Sequence, residues 1–331
     1  MPLITAPYVA PEEPEIPPPV DVPEIGYASI TYIDPTGTRW PMTDLAADWY
    51  TLAQGVSGLG AASYTLTSDA HPRGGARLRH VQPQPRNIVW PLLVKGADHM
   101  EFTKNWRALA RAFTRTITEQ RPGRLEVARP DGSVRWIYVY YQDGWDGLGQ
   151  IATGITWDSA VLTLWCEDPY WVDAVPQVVH REQGTGVDFL QPYPSVSSGQ
   201  ILGASTVHNA GDVVVWPEWR ISGPASLITF TATRTRFVDG EAVVVTESFA
   251  LDPSADDIGH GNLLAGEQVI VRTDPPQVRY EDGTNWFAAL NWPAAVLWGL
   301  EPGDNEVVFQ LDGSGSGSAV DLTFRPRYET A

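Results

Sequence analysis

Apolar and polar residues alternate through most of this chain, and Gly, Pro, Asn and Asp interrupt them every few positions. That pattern predicts half-buried β-strands joined by tight turns. The first such unit is YASITYID, the turn Asp34-Pro35-Thr36-Gly37, then TRWPM. Strands follow around Ser63–Leu66 and Asn87–Val94. A hairpin is expected in RLEVARPDGSVRWIYVYYQDG, turning at Pro130-Asp131-Gly132, and a further strand over Ser159–Cys166.

One stretch breaks the period of two. Between about 98 and 118, Phe102, Trp106, Leu109, Phe113 and Ile117 recur at spacings of four and three, which is one face of an α-helix. Lys104, Arg107, Arg111 and Arg115 share that spacing on another side, so the helix is amphipathic with a basic stripe. The apolar stripe is expected to pack on a sheet. The basic stripe faces either solvent or an acidic partner, so these four residues are candidate oligomer or partner contacts. Arg121-Pro122-Gly123 ends the helix.

Beyond residue 206 the pattern is all β, in DVVVWPEWRISG, SLITFTATRTRF, EAVVVTESFAL, EQVIVRTDPPQVRY, NEVVFQLDGSGSGS and AVDLTFRPRY. Short strands at this spacing with no helical period predict an antiparallel sandwich. The fold class is therefore mainly β with one α-helix. A length of 331 residues suits two cores better than one. The expected division is a Pro-rich arm at 1–25, a β domain with the helix at 26–172, a polar Gly- and Ser-containing linker at 173–206, and the sandwich at 207–331. The arm, MPLITAPYVAPEEPEIPPPVDVPE and its neighbours, favours extended polyproline conformations and lacks the basic and apolar regions of a signal peptide.

Charge changes the picture. The net charge is -18, which disfavours nucleic acid and anionic membranes at long range. Yet His71–Arg135 carries 13 Lys or Arg against five acids, a section of +8 within a remainder of -26. Opposite patches of this kind orient a chain against copies of itself or an acidic neighbour. No window approaches roughly 18 apolar residues, so membrane insertion is not expected. The single cysteine, Cys166, excludes an intramolecular disulfide.

Taken in order, several short motifs resemble the distal tail protein family of long-tailed bacteriophages. In the first half they are the β unit interrupted by one helix and the exit Cys166-Glu167-Asp168-Pro169-Tyr170-Trp171. In the second they are Asn209-Ala210-Gly211-Asp212 leading to Pro217 and Ile221-Ser222-Gly223-Pro224, Leu264-Ala265-Gly266-Glu267 leading to Asp274, and Leu300-Glu301-Pro302-Gly303-Asp304-Asn305. The resemblance implies a split-barrel-like first domain and a galectin-like sandwich. It also implies a hexameric hub ring, non-enzymatic and without cofactor, at the distal end of the virion tail and made in the host cytoplasm. Its implied partners are copies of itself, the tail tube protein, and tail-tip hub and fibre or receptor-binding proteins.

The alternative is a carbohydrate-binding module of a host-recognition device, with a host surface glycan as partner. Its candidate sugar platform is Trp286, Trp292 and Trp298 with Asn285 and Asn291. A glycosidase needs two carboxylates about 5 to 10 Å apart; the only suggestive acid is Glu218 between Trp216 and Trp219. The six histidines are scattered without metal-binding spacing, Asp252–Asp257 lacks the alternation of a calcium loop, and Gly313–Ser318 lacks the Lys and helix of a phosphate loop. No catalytic, cofactor-binding or metal-ligating residue is therefore expected.

Overall fold

The computed structural model describes residues 28–52, 55–146, 155–183, 201–238 and 240–331. The expected arm at 1–25 lies outside them. The first half is a strongly curved antiparallel sheet. Its strands are β1 (Ser29–Ile33), β2 (Arg39–Pro41), β3 (Trp49–Thr51), β6 (Arg86–Lys95), β7 (Gly123–Ala128), β8 (Val134–Asp143), β9 (Trp157–Cys166) and β10 (Trp171–Asp173). Between β3 and β6 a separate two-stranded hairpin is formed by β4 (Tyr64–Ala70) and β5 (Ala76–Pro83). The sheet order is β2-β1-β7-β8-β9-β6-β3, with β10 attached to β8. At its two ends Met42 meets Thr51, whose N–H donates to the Met42 carbonyl at 2.7 Å. The sheet is thus nearly closed into a barrel.

Alternation decides what fills it. Ile88, Trp90, Leu92 and Val94 on β6 and Ala160, Leu162, Leu164 and Cys166 on β9 all point inward. The helix α1 (His99–Thr118) lies within the bounds that its periodicity predicts. Asp98 caps it by accepting from the Glu101 N–H at 2.8 Å, and the Glu101 carboxylate accepts back from the Ala97 N–H at 2.7 Å. Phe102, Leu109, Ala112, Phe113 and Thr116 are its buried residues, each large apolar side chain stabilising by roughly 1.5–3 kcal/mol. Phe113 stacks on Tyr32 of β1 at 4.4 Å, and the Tyr32 hydroxyl donates to the Ala112 carbonyl. Ile117, expected on this face, is instead 52% exposed. The stripe at 3.6 residues per turn drifts around the helix, so Thr116 takes the inward place in the last turn and donates to the Phe113 carbonyl.

The second half comprises β11 (Gln177–Glu182), β12 (Ile201–Asn209), β13 (Glu218–Ser222), β14 (Leu227–Val238), β15 (Glu241–Leu251), β16 (Gln268–Thr273), β17 (Pro276–Tyr280), β18 (Gly303–Asp312) and β19 (Ala319–Phe324). They form two antiparallel sheets, β11-β19-β13-β16-β17 and β12-β18-β14-β15. One core lies between them. Trp219 at its centre stacks on Phe230 at 4.3 Å and meets Trp298 edge-on at 5.0 Å.

The chain departs from its expected organisation at the junction. Within the span 173–206, Asp173 belongs to β10, β11 pairs along β19, and Ile201–Thr206 pair with β18; residues 184–200 lie outside the described residues. The described parts of the span carry small and polar residues such as His180, Glu182, Gly203, Ala204, Ser205 and Thr206, so their composition resembles a linker. The C-terminal end also leaves the sandwich: β20 (Arg327–Tyr328) pairs with β10 and completes a nine-stranded sheet.

Candidate assembly surfaces

The motifs that define the sandwich are turns locked by side-chain hydrogen bonds. Asn305 is fully buried; its Oδ1 accepts from the Glu301 N–H at 2.9 Å, while its Nδ2 donates to the Glu301 and Gly303 carbonyls. Asn209, paired opposite Gly303, accepts from the Gly211 N–H and donates to the Val213 and Leu300 carbonyls. The two motifs therefore clasp one another. In the same way Gly223 donates to the Glu267 carbonyl, and a Cβ at Gly223 would come within 2.2 Å of the Leu264 carbonyl oxygen. These residues set backbone geometry and present no reactive group.

Three surfaces remain. The first is the β4–β5 hairpin, exposed along every residue of both strands. It carries Tyr64, Leu66, Leu78 and Val81, all large and at least 40% exposed. Arg73 and Arg77 add positive charge at its end, and Arg79 pairs with Asp69. The root of the hairpin is held by the far end of the chain. The Glu329 carboxylate accepts from the Ala62 N–H at 2.9 Å and from the Tyr64 hydroxyl. Partial desolvation and that hydrogen bond raise the Tyr64 phenol above its ordinary pKa. The sequence marked a strand at Ser63–Leu66 but did not show that its whole length projects from the barrel. Leu66, Leu78 and Val81 resemble core residues until the tertiary structure leaves them uncovered.

The second is the outer face of α1. Lys104, Arg107 and Arg111 are exposed around a shallow groove of about 330 Å³, with Met100, Thr103 and Ala108. Arg115 departs from the stripe. It is half-buried and its guanidinium approaches Asp34 at 3.7 Å and Glu119 at 3.1 Å. Arg115 thus ties the helix to the β1–β2 turn, whereas the other three cations have no carboxylate partner among the described residues.

The third is a cleft of about 500 Å³ between barrel and sandwich, lined by Trp216, Glu218, Arg272, Asp274, Arg325 and Arg327 among others. Four of its charges are already paired: Glu218 with Arg272 at 2.6 Å and Arg327 with Asp168 at 2.6 Å. Glu218, the suggestive acid of the sequence, is therefore an ion-paired strand residue, and its neighbour Trp219 is core.

The candidate sugar platform is dismantled by burial. Trp286 and Trp298 are 3% and 1% exposed. Trp286 stacks on Tyr280 at 4.6 Å, and Trp298 closes the sandwich core. Only Trp292 is open, at 50%, with its ring against Phe287. Asn291 is spent on the backbone, accepting from the Ala250 N–H, and Asn285 accepts from the Phe287 N–H. Trp286 and Trp298 therefore pack in the sandwich core rather than face a ligand.

Among the described residues no group of three or more His, Cys, Asp or Glu side chains converges. His180 pairs with Asp321 and His208 with Asp304, each across a strand pair. Cys166 is buried in the barrel, where desolvation pushes its thiol up to about 12. Among the described residues no helix is long and apolar enough to cross a membrane.

No protein-family model matches the chain, and no curated protein matches it. Solved structures do. A chain of the phage P2 baseplate in its activated conformation with Ca aligns over 92% of this chain and 100% of its own, at 11% identity and a TM-score of 0.47. The crystal structure of SPP1 Dit (gp 19.1), described as a paradigm of the hub adsorption apparatus of phages infecting Gram-positive hosts, aligns over 91% of this chain and 99% of its own, at 15% identity. Its TM-score of 0.61 covers barrel and sandwich together, so this chain has the fold of the SPP1 Dit protein.

Proposed function

We propose that this protein is a structural component of the tail tip of a long-tailed phage, a hub that assembles through copies of itself and docks further tail proteins. The observation that carries the reading is the β4–β5 hairpin. An isolated two-stranded sheet with four large apolar side chains uncovered gains little stability alone and becomes stable when another surface covers it. The occupant is a second copy of this chain, because closed symmetric rings repeat one heterologous contact and leave no hairpin open. The likeness to a hub adsorption protein over nearly the full length of both chains supports the same reading.

In this reading six copies form a ring at the distal end of the virion tail, between the tail tube and the tip, fibre or receptor-binding proteins. The barrels make the ring, and the sandwiches lie at its periphery. The protein acts by stiffness and complementary surfaces rather than by turnover. The sugar-binding alternative loses its support, since two of its three tryptophans are core.

Sedimentation and negative-stain imaging of the full-length protein test this. Rings of six are expected, and Leu66→Glu with Leu78→Glu is expected to reduce them to folded monomers of lower apparent melting temperature. A strictly monomeric wild type at high concentration, together with absence of the polypeptide from purified virions, would remove the proposal.

A further inference from the structure

Of the 22 Lys and Arg in the chain, eight arginines pair with a carboxylate among the described residues. Arg39 and Arg124 share Glu126, Arg234 and Arg236 share Glu247, and Arg272 and Arg327 have carboxylates of their own. Among the remainder, Lys104, Arg107 and Arg111 stand together on the exposed face of α1, around a groove lined also by Ala108 and the 74% exposed Met100. Lys104 and Arg111 are seven residues apart, about 10 Å along the helix.

The chain itself supplies a matching counter-charge. Residues 1–26 contain five acids, Glu12, Glu13, Glu15, Asp21 and Glu24, with no Lys or Arg and eight prolines. Two pairs, Glu12 with Glu15 and Asp21 with Glu24, are three residues apart. In a polyproline II conformation three residues make one turn and advance about 9 Å, so each pair would fall on one side at the spacing of Lys104 and Arg111. Proline-rich segments also surrender little conformational entropy on binding a groove.

From this we propose that the acidic, proline-rich segment 1–26 docks on the basic groove of α1, in its own or a neighbouring copy. Carboxylates meet Lys104, Arg107 and Arg111, while the proline rings cover Ala108 and Met100. The inference is independent of the hub reading, because it concerns how the chain neutralises its own basic helix.

Lys95 and Lys104 are the chain's two lysines, which makes zero-length carbodiimide cross-linking of the full-length protein, read by peptide mass spectrometry, a direct test. Amide bonds are expected between Lys104 and Glu12, Glu13, Glu15, Asp21 or Glu24, with Lys95 as the internal control that does not form them. Arg107→Glu with Arg111→Glu is expected to lower their yield about tenfold, the scale of a few exposed ion pairs. Adding Glu13→Arg with Glu15→Arg should restore it. Isotope-mixed protein separates cross-links within a chain from those between chains, and either result supports the docking. Cross-links from Lys104 only to acids of residues 28–331, no cross-link at all, or a yield indifferent to the charge reversals overturns it.

Discussion

The guanidinium of Arg86 donates to the backbone carbonyl of Glu329 at 2.8 Å, joining residues 243 apart in the chain. Arg86 is 5% exposed and makes no salt bridge. Its remaining donors reach the carbonyls of Pro169 at 2.8 Å, Gly58 at 2.7 Å and Gly60. One side chain therefore gathers the hairpin root, the end of β9 and the C-terminal tail. Desolvation lowers its pKa, but arginine stays charged because no accessible pH deprotonates it. The sheet pairing of β20 with β10 and the clasp of Glu329 on Ala62 belong to the same joint.

Arg86→Ala is expected to destabilise the protein by on the order of 3 kcal/mol, since four carbonyls lose the charged donor of one buried side chain. Arg86→Lys should recover less than half of this, because an ammonium cannot reproduce the planar fork. Chemical denaturation of both variants checks the magnitude. Faster amide exchange at Ala62 and Ala331, whose N–H groups bond within the joint, should report where the loss is felt.

The tryptophans are expected to separate by burial. Trp219→Ala removes the ring that touches Phe230, Phe249, Trp298 and Phe309, and should cost about 3–5 kcal/mol. Trp292→Ala, at a half-exposed ring, should stay within about 1 kcal/mol. Thermal melts of the two variants decide this, and equal losses would contradict the placement of the core.

Asp34 provides a pH handle. Burial favours its neutral form, but hydrogen bonds from Thr36, Trp40 and Thr38 outweigh it and hold the carboxyl below its usual range. A depressed folded pKa means that this stability is present above the ordinary aspartate pKa and is lost as pH falls through the folded value. Asp34→Asn should therefore cost on the order of 1–2 kcal/mol at neutral pH and progressively less in acid. Denaturation midpoints of wild type and variant between neutral pH and about 3 should converge as pH falls. Parallel curves would show that Asp34 does not carry the acid sensitivity.

What the residues determine locally is the list of elements. Periods of two and 3.6, the Asp98 cap and the Pro130-Asp131-Gly132 turn act within a few residues, so the strands, the helix at 98–118 and the mainly β class are written in sequence. The asparagine turns at Asn209 and Asn305 are equally local, although their mutual clasp is not. Only the tertiary structure decided which apolar residues are covered. It buried Trp286 and Trp298, uncovered Leu66, Leu78 and Ile117, and separated Arg115, paired with Asp34, from three unpaired neighbours of identical spacing. It also carried β20 back to the barrel. Burial and strand pairing between residues 100 or more positions apart depend on which surfaces the whole chain brings together, and no short window of sequence holds that information.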